Sequence, residues 1–263
     1  SDLVKLVHDV YYEFIRRSVI DDRLTFGLVS IFAFVTLYSD KGVRERMSCR
    51  YLMIDEFQDT NRSQLAIALM LLKEPNLCVV GDWKQGIYGF RYVSIENITN
   101  FKKQAQNLIH WLNWEKEERV PFDIFEVKSL PLDVNYRSSQ AIIDAAYSAL
   151  YIPGNKEENI DRNRLDRDVV RITAGRDDIG DDTAVEFVTA NDKEDEVREV
   201  LRRIQNYVCS GKYTIHERGK PSRQPIYGDI AVLCRTTNLA RAISKEAADF
   251  GIPVFLQGDV DIM

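Results

Sequence analysis

Three short stretches of this 263-residue chain hold residue types that could do chemistry. The first is Ile54-Asp55-Glu56-Phe57-Gln58-Asp59-Thr60, two adjacent carboxylates at the end of an apolar run. One carboxylate can hold Mg²⁺, directly or through water, while its neighbour accepts a proton from an attacking water. That pairing suits nucleotide hydrolysis. The plainer alternative is an acidic helix entrance, with Asp59 or Asn61 as the cap and the carboxylates favoured by the helix dipole. Two neighbouring acids alone favour the alternative. The second stretch runs from Val80-Gly81-Asp82-Trp83-Lys84-Gln85 to Gly86-Ile87-Tyr88-Gly89-Phe90-Arg91. Its three glycines permit tight turns, and Tyr88, Phe90 and Arg91 offer planar groups on which bases stack at roughly 1–3 kcal/mol each. A glycine loop whose aromatics fold back into the core accounts for it equally well. The third, Asn135-Tyr136-Arg137-Ser138-Ser139, follows a strand and opens a helix with Ser138 as the expected cap. An exposed Arg there could reach a phosphate on a neighbouring lobe; taken alone, the stretch is only a helix start.

The elements that must position these residues follow from periodicity. Leu3, Leu6, Val7, Val10 and Phe14 recur at helical spacing, predicting an amphipathic helix over 2–19, and a second helix is expected over 26–38. The apolar run 51–54 reads as a buried parallel strand, 61–72 as a helix capped by Asn61, and 77–80 as another buried strand. Strand, helix, strand at this spacing is a βαβ unit, which makes the fold class α/β with parallel sheets and flanking helices. Residues 95–114 are expected to be mostly helical, and the charge run 115–119 a solvated helix end. A second series begins near residue 120: strands at 124–127, 185–189, 230–234 and 254–256, with helices at 138–150, 193–209 and 238–250. Two domains, 1–119 and 120–263, are therefore expected, with an acidic linker-like segment near 153–183.

Composition limits the setting. Of the residues, 45% are hydrophobic and 29% charged, which excludes a wholly disordered chain. No apolar run approaches the roughly 18 residues of a membrane span. No signal peptide is visible, so the expectation is a cytoplasmic-type protein without a membrane partner. The net charge of −6 argues weakly against a phosphate-binding surface. Residues 155–199, however, hold 15 acidic and 8 basic residues, leaving 26 acidic and 27 basic elsewhere. The imbalance belongs to one segment. Cys49, Cys78, Cys209 and Cys234 have no CxxC spacing, which disfavours zinc or a disulfide framework; three of them lie in or beside apolar runs, as small core residues do. His8, His110 and His216 have no metal-ligand spacing.

Taken together, DEFQDT, then GDxxQxIYxFR about 25 residues on, then NYRS, resemble the motor core of superfamily 1 DNA helicases such as UvrD, Rep and the RecB/AddA helicase-nuclease subunits. The Lys84-Gln85 pair looks closer to the RecB/AddA branch. The stretch from Asp229 to Arg235, followed by Gly251-Ile252-Pro253-Val254, is similar to the family's second motor domain. The resemblance implies parts of two RecA-like, P-loop NTPase-type motor domains. Residues 1–119 would belong to the first (1A, with the tail of the 1B insertion) and 120–263 to the second (2A). It implies an ATP-dependent helicase working with Mg²⁺ on single-stranded and partly duplex DNA, with 3′→5′ translocation in repair or recombination, and a helicase-nuclease partner subunit. By the same resemblance Asp55 would bind Mg²⁺, Glu56 would polarise the attacking water and Gln58 would help organise the site. Gln85 would sense the γ-phosphate. Tyr88, Phe90 and Arg91 would contact single-stranded DNA, with Phe90 the best stacking candidate. Tyr136 would pack on the adenine, and Arg137 would act as an arginine finger. Trp83 departs from the small or acidic residue usual at its place, and either shields the site or packs.

The phosphate-cradling GxxxxGK[ST] is absent. Gly211-Lys212 and Gly219-Lys220 lack both the following Ser or Thr and the earlier Gly. Without that loop most triphosphate binding is lost. The expectation is a fragment of a helicase with little ATPase activity of its own. The competing expectation is a non-catalytic nucleic-acid or protein interaction module that keeps the fold.

Overall fold

The computed structural model describes residues 2–87, 96–115, 117–124, 126–150, 171–175, 185–217 and 219–257. The chain divides into two compact units, Ser1–Ser129 and Leu130–Met263. In the first, helices α1 (Asp2–Ile20), α2 (Phe26–Ser39) and α3 (Lys41–Met47) precede strand β1 (Leu52–Ile54). Helix α4 (Arg62–Met70), strand β2 (Leu77–Val79) and helices α5 (Glu96–Thr99) and α6 (Phe101–Leu112) follow. Strand β1 pairs in parallel with β2, Leu52 opposite Leu77 and Ile54 opposite Val79, and α4 makes the crossover. This is the expected βαβ unit in an α/β fold.

Local chemistry explains where α4 begins. Asn61 Oδ1 accepts from the Gln64 N–H at 3.0 Å, and Gln64 Oε1 accepts from the Asn61 N–H at 2.9 Å. This reciprocal capping box satisfies two otherwise orphaned donors, and a cap of this kind contributes about 1 kcal/mol. The core beneath the sheet gathers Phe57, Leu65, Leu69, Met70, Leu108, Ile109 and Leu112. Helix α1 forms as the periodicity predicts, yet Leu3, Leu6, Val7, Val10 and Phe14 are all exposed.

The charge run at 115–119 is not a simple solvated helix end. Arg119 is buried and donates to the carbonyls of Tyr38 and Leu112, each at 2.9 Å, and to Glu115 at 3.0 Å. Its guanidinium lies 3.7 Å from the centre of the Tyr38 ring. Buried Arg44 donates to the carbonyls of Leu37 and Tyr38 and pairs with Glu117, whose carboxyl is held below the usual carboxylate range by that contact. The run is expected to be solvated; carbonyl partners make its Arg119 interior, as they do Arg44 of α3.

In the second unit, strand β3 (Val134–Asn135) pairs in parallel with β4 (Thr173–Ala174), flanked by α7 (Gln140–Leu150). Helices α8 (Lys193–Cys209) and α9 (Thr237–Ala247) enclose Val197, Leu201, Ile204, Ile243, Ala247 and Ile252. Asp192 caps α8 by accepting from the Asp195 N–H at 2.8 Å, and Glu194, Asp195 and Glu196 fill its first turn. Part of the acidic segment thus complements a helix dipole. Beyond α9 the chain turns at Gly251, φ +65°, and the Ile252 N–H reaches back to the Ala247 carbonyl at 3.0 Å. The turn is a Schellman stop that buries Ile252.

The strands expected at 124–127, 185–189, 230–234 and 254–256 form no ladder among the described residues. Within 230–234, Ile230 and Cys234 pack on the α8–α9 core while Leu233 faces outward, as do Phe187 and Phe255 in their own runs. A continuous apolar run is consistent with a buried strand, but a ladder also needs a partner backbone. All four cysteines are free, and Cys78 and Cys209 are exposed rather than interior, Cys78 beside Met53 on the uncovered face of the β1–β2 pair. Among the described residues no single helix is long and apolar enough to cross a membrane.

Candidate active site

Strand β1 delivers Asp55 and Glu56 at its carboxyl end, where ligands gather in parallel α/β sheets. The ladder there contains one extra residue. The Val80 N–H donates to the Ile54 carbonyl at 2.9 Å, and the Val80 carbonyl accepts from Phe57, at 2.8 Å, rather than from residue 56. The chain accommodates the insertion by placing Glu56 in the left-handed region, φ 49° and ψ 43°. A non-glycine residue there costs roughly 1–3 kcal/mol and persists only where its surroundings over-determine it. Phe57 supplies that constraint: it is 0% exposed and meets Phe101 edge-on at 5.7 Å. Downstream, the buried Asn97 side chain donates to the Thr60 carbonyl at 2.8 Å, tying α5 to the end of the motif.

Both carboxylates stay exposed. Asp55 Oδ1 accepts from the Glu56 N–H at 2.9 Å, and its other oxygen has no partner among the described residues. Glu56 Oε2 accepts from Gln58 Nε2 at 2.6 Å, and Gln58 Oε1 accepts from the Asp82 N–H at 3.0 Å. Gln58 is only 2% exposed. The loop after β2 is built around Asp82, whose carboxylate accepts from the Lys84 N–H at 3.1 Å and from Gln85 Nε2 at 3.2 Å. The same group pairs with the Lys84 ammonium at 2.7 Å. That ammonium lies 5.6 Å from the centre of the half-buried Trp83 ring, so the indole packs against its own loop. Gly81 is required by close approach: a Cβ there would fall 2.7 Å from Gln58 Oε1 and 3.1 Å from the Gln58 backbone nitrogen.

Asp55, Glu56, Gln58 and Gln85 are thus joined by one chain of hydrogen bonds in the first unit. Tyr136 and Arg137 lie in the second, between β3 and α7. Asn135 Oδ1 accepts from the N–H groups of Arg137 (2.8 Å) and Ser138 (2.7 Å). The Tyr136 ring is 70% exposed and passes over Gly175, where a Cβ would come within 2.8 Å of it. Arg137 is exposed, and its guanidinium has no partner among the described residues. The helix cap is Ser139 rather than Ser138: α7 begins at Gln140, and Ser139 Oγ accepts from the Ile142 N–H at 3.4 Å. Tyr88, Phe90 and Arg91 lie outside the described residues. Sequence reasoning missed Asp82 and Asn135 as organisers. The Asn-x-x-Ser pattern could have signalled Asn135, and Asp after Gly81 at a strand end the local turn at Asp82; only its contact with Gln58 has no local signal.

The UvrD/REP helicase N-terminal domain family matches residues 2–106, and the UvrD-like helicase C-terminal domain family matches residues 130–262, about half of the chain by itself. The chain belongs to the UvrD/Rep-type helicases. It is 28% identical over 270 residues to the ATP-dependent DNA helicase UvrD1 of Mycobacterium tuberculosis, covering 99% of this chain and 29% of that protein. It is 30% identical over 210 residues to the ATP-dependent DNA helicase PcrA of Staphylococcus epidermidis, covering 80% of this chain and 22% of that protein. The PcrA of Leuconostoc citreum is 26% identical over 259 residues, 98% of this chain and 28% of that one. The chain therefore spans less than a third of the length of these UvrD/Rep-type relatives.

Proposed function

We propose that this chain is a section of a longer ATP-dependent DNA helicase that couples ATP hydrolysis to 3′→5′ movement on single-stranded DNA and to duplex unwinding in repair or recombination. Its setting would be the cytoplasm. The two motor domains expected from the sequence would be this chain's two halves. The observation that carries the reading is the chain of bonds from Glu56 through Gln58 and Asp82 to Gln85, at the carboxyl end of a parallel strand. Glu56 acts as the base that accepts the proton of attacking water, Gln85 faces the γ-phosphate, Tyr136 packs on the adenine, and Arg137 presents its cation to the phosphates. Tyr88, Phe90 and Arg91 take the strand. Asp55 fits Mg²⁺ because one of its oxygens is tied to the Glu56 N–H while the other is open. When bound, the ion supplies charge neutralisation at the phosphates. The Lys84-Gln85 pair supports a place near the RecB/AddA branch and with it a helicase-nuclease partner subunit.

Two measurements test the proposal. The 263-residue chain should hydrolyse ATP negligibly with or without single-stranded DNA; robust turnover overturns the assignment as a section of a motor. In the longer motor carrying this chain and a P-loop, Glu56→Gln should lower DNA-stimulated turnover by roughly 10²–10⁴-fold while ATP binding persists. Unchanged turnover removes Glu56 from the reaction.

A further inference from the structure

We propose that Gln58 is a positioning residue for Glu56, fixing where that carboxylate sits and coupling its position to the loop that starts at Asp82. The inference rests on the reading of Glu56 as the base. The donor and acceptor ends of the Gln58 carboxamide are dictated by chemistry. The Asp82 N–H can only donate, so Oε1 faces it at 3.0 Å; the Nε2 end then meets the Glu56 carboxylate, an acceptor, at 2.6 Å. The second contact is charge-assisted, the stronger class of hydrogen bond. Both ends are enclosed, since Gln58 is 2% exposed and Gly81 leaves no space beside Oε1. A glutamate in this place would set one carboxylate against another, and an asparagine is one methylene too short to reach both partners.

The backbone of Glu56 is already fixed, with Phe57 buried behind it and the Val80 bonds on either side. What remains free in Glu56 is its side chain, and the only side-chain partner it has among the described residues is Gln58. The other end of the relay is a loop whose own bonds converge on Asp82, including the one from Gln85. A displacement of that loop moves the Asp82 N–H, then the carboxamide, then the carboxylate. Gln58 therefore makes the orientation of the base depend on the state of the residue that faces the nucleotide.

The test uses the longer motor carrying this chain together with a P-loop. Gln58→Ala and the nearly isosteric Gln58→Met should each lower kcat for ATP about 10- to 100-fold, as a misplaced catalytic group does, while KM for ATP stays within about two-fold. A purely structural role would not split the two constants. In the 263-residue chain, Gln58→Met should speed hydrogen exchange of the Asp82 amide at least about tenfold and leave the α4 amides of Leu65 and Leu69 unchanged. Wild-type kcat in Gln58→Met, with Glu56→Gln inactive, overturns the positioning role and leaves the hydrolysis reading standing. Full turnover in Glu56→Gln overturns both. If Gln58→Ala fails to fold, the Met variant decides alone.

Discussion

The segments that follow β1 and β3 do the same geometrical job by different means. Each leaves a short parallel strand, presents chemically able side chains and leads toward a helix. After β1 the arrangement is held from a distance. Gln58 bonds to Asp82, 24 residues away, Asn97 reaches Thr60, 37 residues away, and Phe57 is locked by Val80 and Phe101. After β3 a single side chain, Asn135, turns the backbone through the next N–H groups, and Ser139 caps the helix. The first segment can feel movement elsewhere in its unit, because its contacts are made there. The second is a preformed local turn that only carries its Tyr and Arg. A strained residue, Glu56, is found in the tertiary-held segment and none in the local one.

Truncating the long-range hold should break the comparison most visibly. Phe57→Ala should destabilise the first unit by about 3–5 kcal/mol, the range for removing a fully buried Phe, as measured by urea unfolding of the 263-residue chain. A loss below about 1 kcal/mol would mean that the segment is held locally after all. Asn135→Ala should cost less, about 0.5–1.5 kcal/mol, the net value of a typical hydrogen bond, and speed exchange of the Arg137 and Ser138 amides while the first unit is unaffected. The smallest effect belongs to another local device of the second unit. Arg223 grips Asp229 through two bonds of 2.7 Å and holds its carboxyl at about 2. A carboxyl lowered on folding contributes stability that is complete above its ordinary value of about 3.9 and is lost as pH falls toward 2. Carboxyl NMR titration of Asp229 should therefore midpoint near 2, and in Arg223→Ala near the ordinary value. An unchanged midpoint in the variant would show that Arg223 is not the cause.

What was legible in the sequence follows the same division. The Asn61 cap, the two apolar strands and the crossover between them depend on neighbours a few residues apart, and their residue types announce them. The stop after α9 was readable from Gly251 for the same reason. The left-handed Glu56 carries no signal, since no glycine or asparagine marks the position and the extra residue exists only relative to Val80. The link from Asp82 to Gln58 was equally hidden, because it is fixed by the tertiary placement of Gln58, whereas the bonds from Lys84 and Gln85 to Asp82 are local. The apolar runs at 185–189, 230–234 and 254–256 misled in the opposite direction. Ile230 and Cys234 do pack on the α8–α9 core, but an apolar run reports hydrophobicity and not a hydrogen-bonded neighbour. DEFQDT pointed to a family only in company with the two later stretches, and the family matches cover all three.

The pair of interior arginines has a mechanical side. Arg44 and Arg119 collect the carbonyls of Leu37 and Tyr38 in α2 and of Leu112 at the end of α6, with Arg119 seated on the Tyr38 ring. Helix ends normally fray independently, each releasing its last carbonyls to water. Here α2 and α6 both finish on Arg119, so neither can loosen its final turn without disturbing a cation that the other is using. The ends of the two helices are thereby joined through one buried side chain.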